Sequence, residues 1–282
     1  VSYGPNPSQQ THWDLRAAAN FIGGGIGGGT LVFAALSGAS GTALTLLSLA
    51  GLACVAAGLL CVFAEIGRPL RSINVLIHLR RSWMAREALI APMLFVAGAV
   101  AAYTGNAAHA WPAAALALAF VYCQARMLRA AKGIPAWRDP RLTPFILATS
   151  LAEGGGLFWI CATHHGAGTL GLLVGFGGIV AVRLIAWLVY RRSVVATAAA
   201  PALAALDRAG QVLKLGGTLL PLTLVAIVAA GFASSAATLP LAAVAGAAAL
   251  FSGAWVKATL VLRSGFNQGF TLPHLPVRGV RP

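Results

Sequence analysis

The stretch Ala43–Ile66, ALTLLSLAGLACVAAGLLCVFAEI, decides the fold. It carries no Asp, Glu, Lys or Arg before Glu65, and a helix needs about 20 apolar residues to cross a hydrocarbon layer roughly 30 Å thick. Its apolar residues follow one another without the alternation at every second position that marks a membrane strand. A helix, which closes its backbone hydrogen bonds internally, is therefore the expected form. Working outward, comparable stretches give eight predicted spans, at about 17–37, 43–66, 88–105, 110–129, 143–163, 168–190, 214–236 and 239–262.

Composition excludes the soluble alternative. Of 282 residues, 59% are hydrophobic and 9% charged, against roughly 25% charged in soluble domains. The expectation is an all-α integral membrane protein: a bundle of about eight transmembrane helices, with both termini on the same, cytoplasmic side. Residues 1–282 form a single polytopic membrane domain, of which 263–282 are a C-terminal tail. No separate soluble domain fits, so a catalytic centre larger than a buried pocket would have to come from partners. The first sixteen residues, VSYGPNPSQQTHWDLR, lack the basic start and apolar core of a cleavable signal.

The formal charge of +14 does not point to nucleic acid once its distribution is followed. All but one of the 20 Lys and Arg lie in the N-terminal segment, the 2–3, 4–5 and 6–7 connections, and the basic end of the last span with its tail, where Lys257 is counted with Arg263, Arg278 and Arg281. The remaining connections hold none. By the positive-inside rule the basic face is cytoplasmic, and a face so charged also suits an acidic docking partner.

The 2–3 loop is too charged for a simple connector and too rich in Leu, Ile and Trp for a disordered one. It runs from Glu65-Ile-Gly-Arg68-Pro-Leu-Arg71, past His78, to Arg80-Arg81-Ser82-Trp83-Met-Ala-Arg86-Glu87. Gly67 and Pro69 end the second helix after Glu65, and Glu87 falls in the first turn of the third, where a carboxylate suits the helix dipole. Snorkelling arginines and a capping glutamate are the alternative reading of each residue singly. In the 4–5 connection, Ile134-Pro-Ala-Trp137 and Pro144 predict a rigid loop lying on the interface. Tyr122 precedes it, either as a hydrogen-bond donor to a ligand carbonyl or as a belt tyrosine.

Glu153 lies near mid-membrane in Ala152-Glu-Gly-Gly-Gly156. Intramembrane carboxylates are costly and usually functional; Arg183 is the expected partner, in a structural ion pair or a proton path. Gly23-Gly-Gly-Ile-Gly-Gly-Gly29 lacks the Lys-Ser/Thr of a phosphate loop and predicts close helix packing. No histidine sits centrally in a span, so no haem is expected. Cys54, Cys61, Cys123 and Cys161 form no C-x-x-C pair, so neither does the chain encode an iron–sulfur cluster or a metal site.

The run Glu65 to Arg71, followed by Ser82-Trp-Met-Ala-Arg-Glu87, resembles the signature of the DMSO-reductase anchor subunits, a branch of the NrfD/polysulfide-reductase membrane family. Ile134–Trp137, the eight-span plan and the tail from Gly265 to Gly279 agree with it. The resemblance implies a membrane anchor that binds a quinone, menaquinone or ubiquinone, near the face where a four-cluster ferredoxin-like iron–sulfur subunit docks. That subunit in turn contacts a molybdopterin or tungstopterin catalytic subunit, and the setting is the bacterial inner membrane. The matched residues are Glu65, Arg68, Arg71, Ser82, Trp83, Arg86 and Glu87, with Asn20 and Tyr122 from the places where quinone contacts lie in related anchors. Quinone chemistry moves two electrons and two protons, so it needs hydrogen-bond donors and a proton relay. Glu87, Glu65 and His78 are the suitable groups. A cytoplasmic basic face departs from DMSO reductase itself and resembles instead the membrane subunit of phenylacetyl-CoA:acceptor oxidoreductases. The rival reading is a secondary transporter with a midplane site at Glu153 and Arg183.

Overall fold

The computed structural model describes residues 6–64, 74–75, 78–165 and 168–269. Glu65, Arg68 and Arg71 lie outside the described residues, as does the chain from 270 onward. Among the described residues, eight helices are long and apolar enough to cross a membrane. They are α1 (Leu15–Leu36), α2 (Gly41–Phe63), α3 (Trp83–Thr104), α4 (Ala107–Ala130), α5 (Leu142–His165), α6 (Leu170–Val194), α7 (Ala200–Ala229) and α8 (Ser235–Leu262). The chain is a multi-pass membrane protein.

Local chemistry sets the helix ends. Asp14 caps α1 by accepting from the Arg16 backbone N–H at 2.8 Å, and its contacts with Arg16 hold the carboxyl below the usual range. Ser82 caps α3 by accepting from Ala85 N at 3.2 Å. Gly105, at φ +59°, ends α3 in the left-handed conformation and abuts Gly41 at the start of α2.

The seventh helix begins well before the expected 214. Residues 200–213 read as a polar connection because of Asp207, Arg208 and Gln211, yet they form a helix with one buried side, Ala202, Leu206, Ala209 and Leu213. Arg191 grips Asp207 through two hydrogen bonds, at 2.8 and 2.7 Å, and so removes the isolated charge. Within α7, Leu215–Leu219 is a π-helical turn.

Helix α1 is central and packs against α2, α4, α5 and α8. In α1 and α5, 67% and 72% of the apolar window is buried, against 33% in α2, α3, α6 and α7. The glycine run makes this possible. A Cβ on Gly27 would run into the Gly51 carbonyl and Val55 of α2, one on Gly29 into Ser150 and Gly154 of α5, and one on Gly28 into Val121 of α4. Backbone meets backbone on two sides of one helix, the small-residue packing expected of the run. A second such contact, Gly156 against Gly246, joins α5 to α8.

At one end of the bundle the termini are clasped. Gln9 and Phe266 form an antiparallel bridge, with Gln10 N donating to Gly265 O at 2.8 Å and Asn267 N to Ser8 O at 2.9 Å. The Ile134–Trp137 element turns its side chains into the bundle. Pro135, Ala136 and Trp137 are buried, and Trp137 Nε1 donates to Leu260 O at 2.9 Å. An indole N–H in an apolar interior must find an acceptor, and the last turn of α8 supplies it.

Gly29→Leu is expected to destabilise the detergent-solubilised protein by about 3 kcal/mol or more, since the overlap is with backbone rather than with a yielding side chain. Gly175→Ala, which meets nothing within 4 Å, is expected to leave thermal unfolding followed by fluorescence unchanged.

Candidate functional site

Near the clasped end lies a cavity of about 260 Å³ lined by Trp13, Ala17, Asn20, Phe21, Val62, Met84, Glu87 and Met127. Its walls come from α1, α2, α3 and α4, and all but two of these side chains are apolar. The polar groups converge on one carboxylate. Glu87 Oε1 accepts from Gln124 Nε2 at 3.0 Å and from Asn20 Nδ2 at 3.3 Å. Glu87 is 5% exposed, and among the described residues its Oε2 receives no hydrogen bond. Asn20 Oδ1 is likewise buried without a partner. An unpaired buried acceptor is costly, so the cavity presents acceptor positions beside a carboxyl that can hold or release a proton.

Each residue of the Ser82–Glu87 motif has a distinct place. Ser82 caps the helix, Met84 and Glu87 face the cavity, and Ala85 is fully buried. Arg86 binds back to the loop, donating from Nε to Leu79 O at 3.0 Å and from an Nη to Arg80 O at 2.8 Å. Its guanidinium lies 4.1 Å from the Trp83 ring centroid, and that of Arg126 lies 4.4 Å from the same ring. Tyr122 meets Trp83 edge-on and accepts from Arg126 at 2.6 Å. This cation–aromatic stack fastens the start of α3 to the end of α4.

The structure therefore brings together two of the expected residues, Asn20 and Glu87, and holds Ser82, Trp83, Arg86 and Tyr122 beside them as supports rather than as cavity lining. His78 is exposed on the loop. Gln124 and Trp13 are additions. Gln124 reaches its place because Gly24 has no Cβ: a side chain there would overlap the Gln124 amide. The same gap opens the Asn20 carbonyl, one helical turn earlier, which accepts from Gln124 Nε2 at 3.0 Å. Trp13 stacks between Phe21 and Trp137, with centroids at 5.8 and 5.0 Å. The clasp holds it there, since Gln10 bonds both to Trp13 and to Val261 O.

Deeper in the bundle the expected partner of Glu153 is replaced. Glu153 pairs with Lys257 at 2.5 Å, and their side chains are 0% and 1% exposed. Lys257 Nζ also donates to Ser150 Oγ at 2.8 Å and to Phe21 O at 3.0 Å, which uses all three ammonium hydrogens. Lys257 thus does not belong to the basic end of the last span, because its long side chain turns inward from α8. Gly25 makes the room, as a Cβ there would collide with Nζ. Arg183, also fully buried, instead donates to Ala249 O at 2.8 Å and to Gly217 O in the π-helical turn of α7. A π-turn leaves a carbonyl out of the regular ladder, and the guanidinium takes one such group.

No family model matches the chain, and no curated protein matches it.

Removing one partner of a buried ion pair leaves an uncompensated charge, at a cost of about 3–5 kcal/mol. Lys257→Met is therefore expected to lower thermal stability sharply, and Lys257→Met combined with Glu153→Leu to recover most of the loss. A double-mutant cycle followed by thermal unfolding measures the coupling, and additive single effects would contradict it.

Proposed function

We propose that the chain is the quinone-binding membrane anchor of an oxidoreductase complex. The observation that carries this reading is the Glu87 carboxyl at the wall of an apolar cavity, oriented by two amides and retaining a free oxygen. A bound quinone would supply two-electron, two-proton redox chemistry between the membrane pool and an iron–sulfur partner. The cavity is at the small end of the roughly 300–1,000 Å³ range of ligand pockets, fit for a head group. Its apolar lining suits the ring, and Asn20 Oδ1 suits a hydroxyl donor. Glu87 would bind at a ring oxygen and exchange a proton there through Oε2. Asn20 and Gln124 would hold that carboxyl in one rotamer, and Trp13 and Phe21 would exclude water.

The resemblance of Ser82–Glu87 to the DMSO-reductase anchor branch favours the same function, and the motif's residues build one wall of this cavity. Arg80, Arg81, Lys132 and Arg138 are exposed, a basic surface suited to an acidic iron–sulfur subunit and, beyond it, a molybdopterin or tungstopterin subunit. On this reading the protein sits in a bacterial inner membrane with that face in the cytoplasm. The transporter reading gains no support from the midplane, because Lys257 occupies from within the position a transported cation would need.

The test is binding. A short-tailed naphthoquinone is expected to quench tryptophan fluorescence of the purified protein, and Trp13→Phe to remove most of the quenching. Glu87→Leu is expected to weaken binding several-fold, the loss of a hydrogen bond between neutral groups being worth about 0.5–1.5 kcal/mol. Unchanged affinity in Glu87→Leu would remove the carboxyl from the site. Mild-detergent purification is expected to recover an iron–sulfur subunit with Fe and Mo or W, and a metal-free single chain would count against the anchor.

A further inference from the structure

The Glu87 cavity does not account for the most costly feature of the molecule, the Glu153–Lys257 pair with Arg183 beside it. Structural ion pairs buried this deeply are expected to be fully hydrogen-bonded. Here the ammonium is satisfied and the rest is not: among the described residues, Glu153 Oε1 and Arg183 Nε are both buried without partners. On the side of α8 the carboxyl is met, besides Lys257, by Gly253, where any Cβ would touch its Cγ and Oε1. The charged groups that face Glu153 are Lys257 from α8 and Arg183 from α6. Its own helix contributes Ser150, which bonds to Lys257, and α1 contributes the bare backbone at Gly25.

Two features connect this cluster to the cavity. The carbonyls of Asn20 and Phe21 are consecutive on α1. The first accepts from Gln124, which holds Glu87, and the second from Lys257, which holds Glu153. Phe21 itself lines the cavity with its side chain while its carbonyl receives the ammonium. The two clusters thus draw on adjacent carbonyls of one helix, in surroundings of low polarity where charge is weakly screened.

We propose that Glu153 and Lys257 form a proton-exchange site that answers to the charge of the Glu87 cavity. When Glu87 yields its proton to an acceptor in the cavity, its O–H bond breaks and a carboxylate remains. One proton then passes from a hydronium ion of the solvent to Glu153 Oε1, the hydronium O–H bond breaking to leave water. An O–H bond forms there, Lys257 stays an ammonium, and the pair passes from neutral to a single positive charge that offsets the new negative charge. No electrons change place at Glu153. Arg183 Nε, as an unpaired donor, supplies a hydrogen-bonding position for the water that delivers the proton. This inference rests on the cavity being the quinone site.

The test uses the purified full chain loaded with a short-tailed naphthoquinone, reduced and reoxidised at an electrode while infrared difference spectra are recorded. Glutamate is found only at 65, 87 and 153, so carboxyl-¹³C glutamate identifies the bands without any substitution. The expected result is a protonated-carboxyl band that appears on reduction, shifts with the label and in D₂O, persists in Glu87→Asp and is lost in Glu153→Gln. If Glu153→Gln does not fold, Lys257→Arg replaces it and is expected to move the same band. Quinone binding and reduction with no labelled band that Glu153→Gln removes or Lys257→Arg moves would overturn the proton-exchange site and leave the cavity reading intact. Failure of the naphthoquinone to quench fluorescence at all would overturn both.

Discussion

The structure depends on the absence of side chains along α1. Six glycines in seven positions allow this helix to touch the backbones of α2 and α5 and the side chains of α4 and α8. In lipid no hydrophobic effect draws helices together, so association rests on van der Waals contact at short range and on polar contacts between helices. The glycine run supplies both. Gly27 and Gly29 admit neighbouring backbones, while Gly24 and Gly25 bare the carbonyls of Asn20 and Phe21 to Gln124 and Lys257. Packing and polar chemistry are thus two results of one local deletion of Cβ atoms.

The polar groups are graded with depth. At the clasped end, arginines stack on Trp83 and reach loop carbonyls, arrangements that keep a charge partly hydrated. One turn further in, a carboxyl is held by neutral amides. Deeper still, charge meets charge directly. Each step inward replaces water by a stronger and more specific partner, as the falling polarity of the surroundings demands.

Much of this was legible in the sequence. The spans followed from length and hydropathy, since the bilayer imposes a simple rule on a single helix. The glycine run announced close packing, and Asn20 and Glu87 were placed together by the resemblance. What escaped depends on pairing across the bundle. Lys257 sits near the end of α8, where a lysine ordinarily reaches outward to the headgroups. Its inward turn follows from Gly25 and Glu153, which lie far away in sequence and share no periodicity with it. Gln124 owes its role to Gly24 in the same way. The early start of α7 was hidden because Asp207 looks like a solvated charge until Arg191 is seen against it.

The distance along the chain between the partners of the deepest ion pair has a consequence for biogenesis. Glu153 enters the bilayer with the fifth span and its counter-ion arrives only with the eighth. Between those moments the carboxyl has Arg183 of the sixth span beside it but not the ammonium that bonds it, and α1 carries an open carbonyl at Phe21. A chain truncated or stalled before α8 would keep that incompletely paired carboxyl, at the cost that attends a buried charge without its bonded counter-ion. The final span is thus the one that closes the deepest polar contact of the bundle.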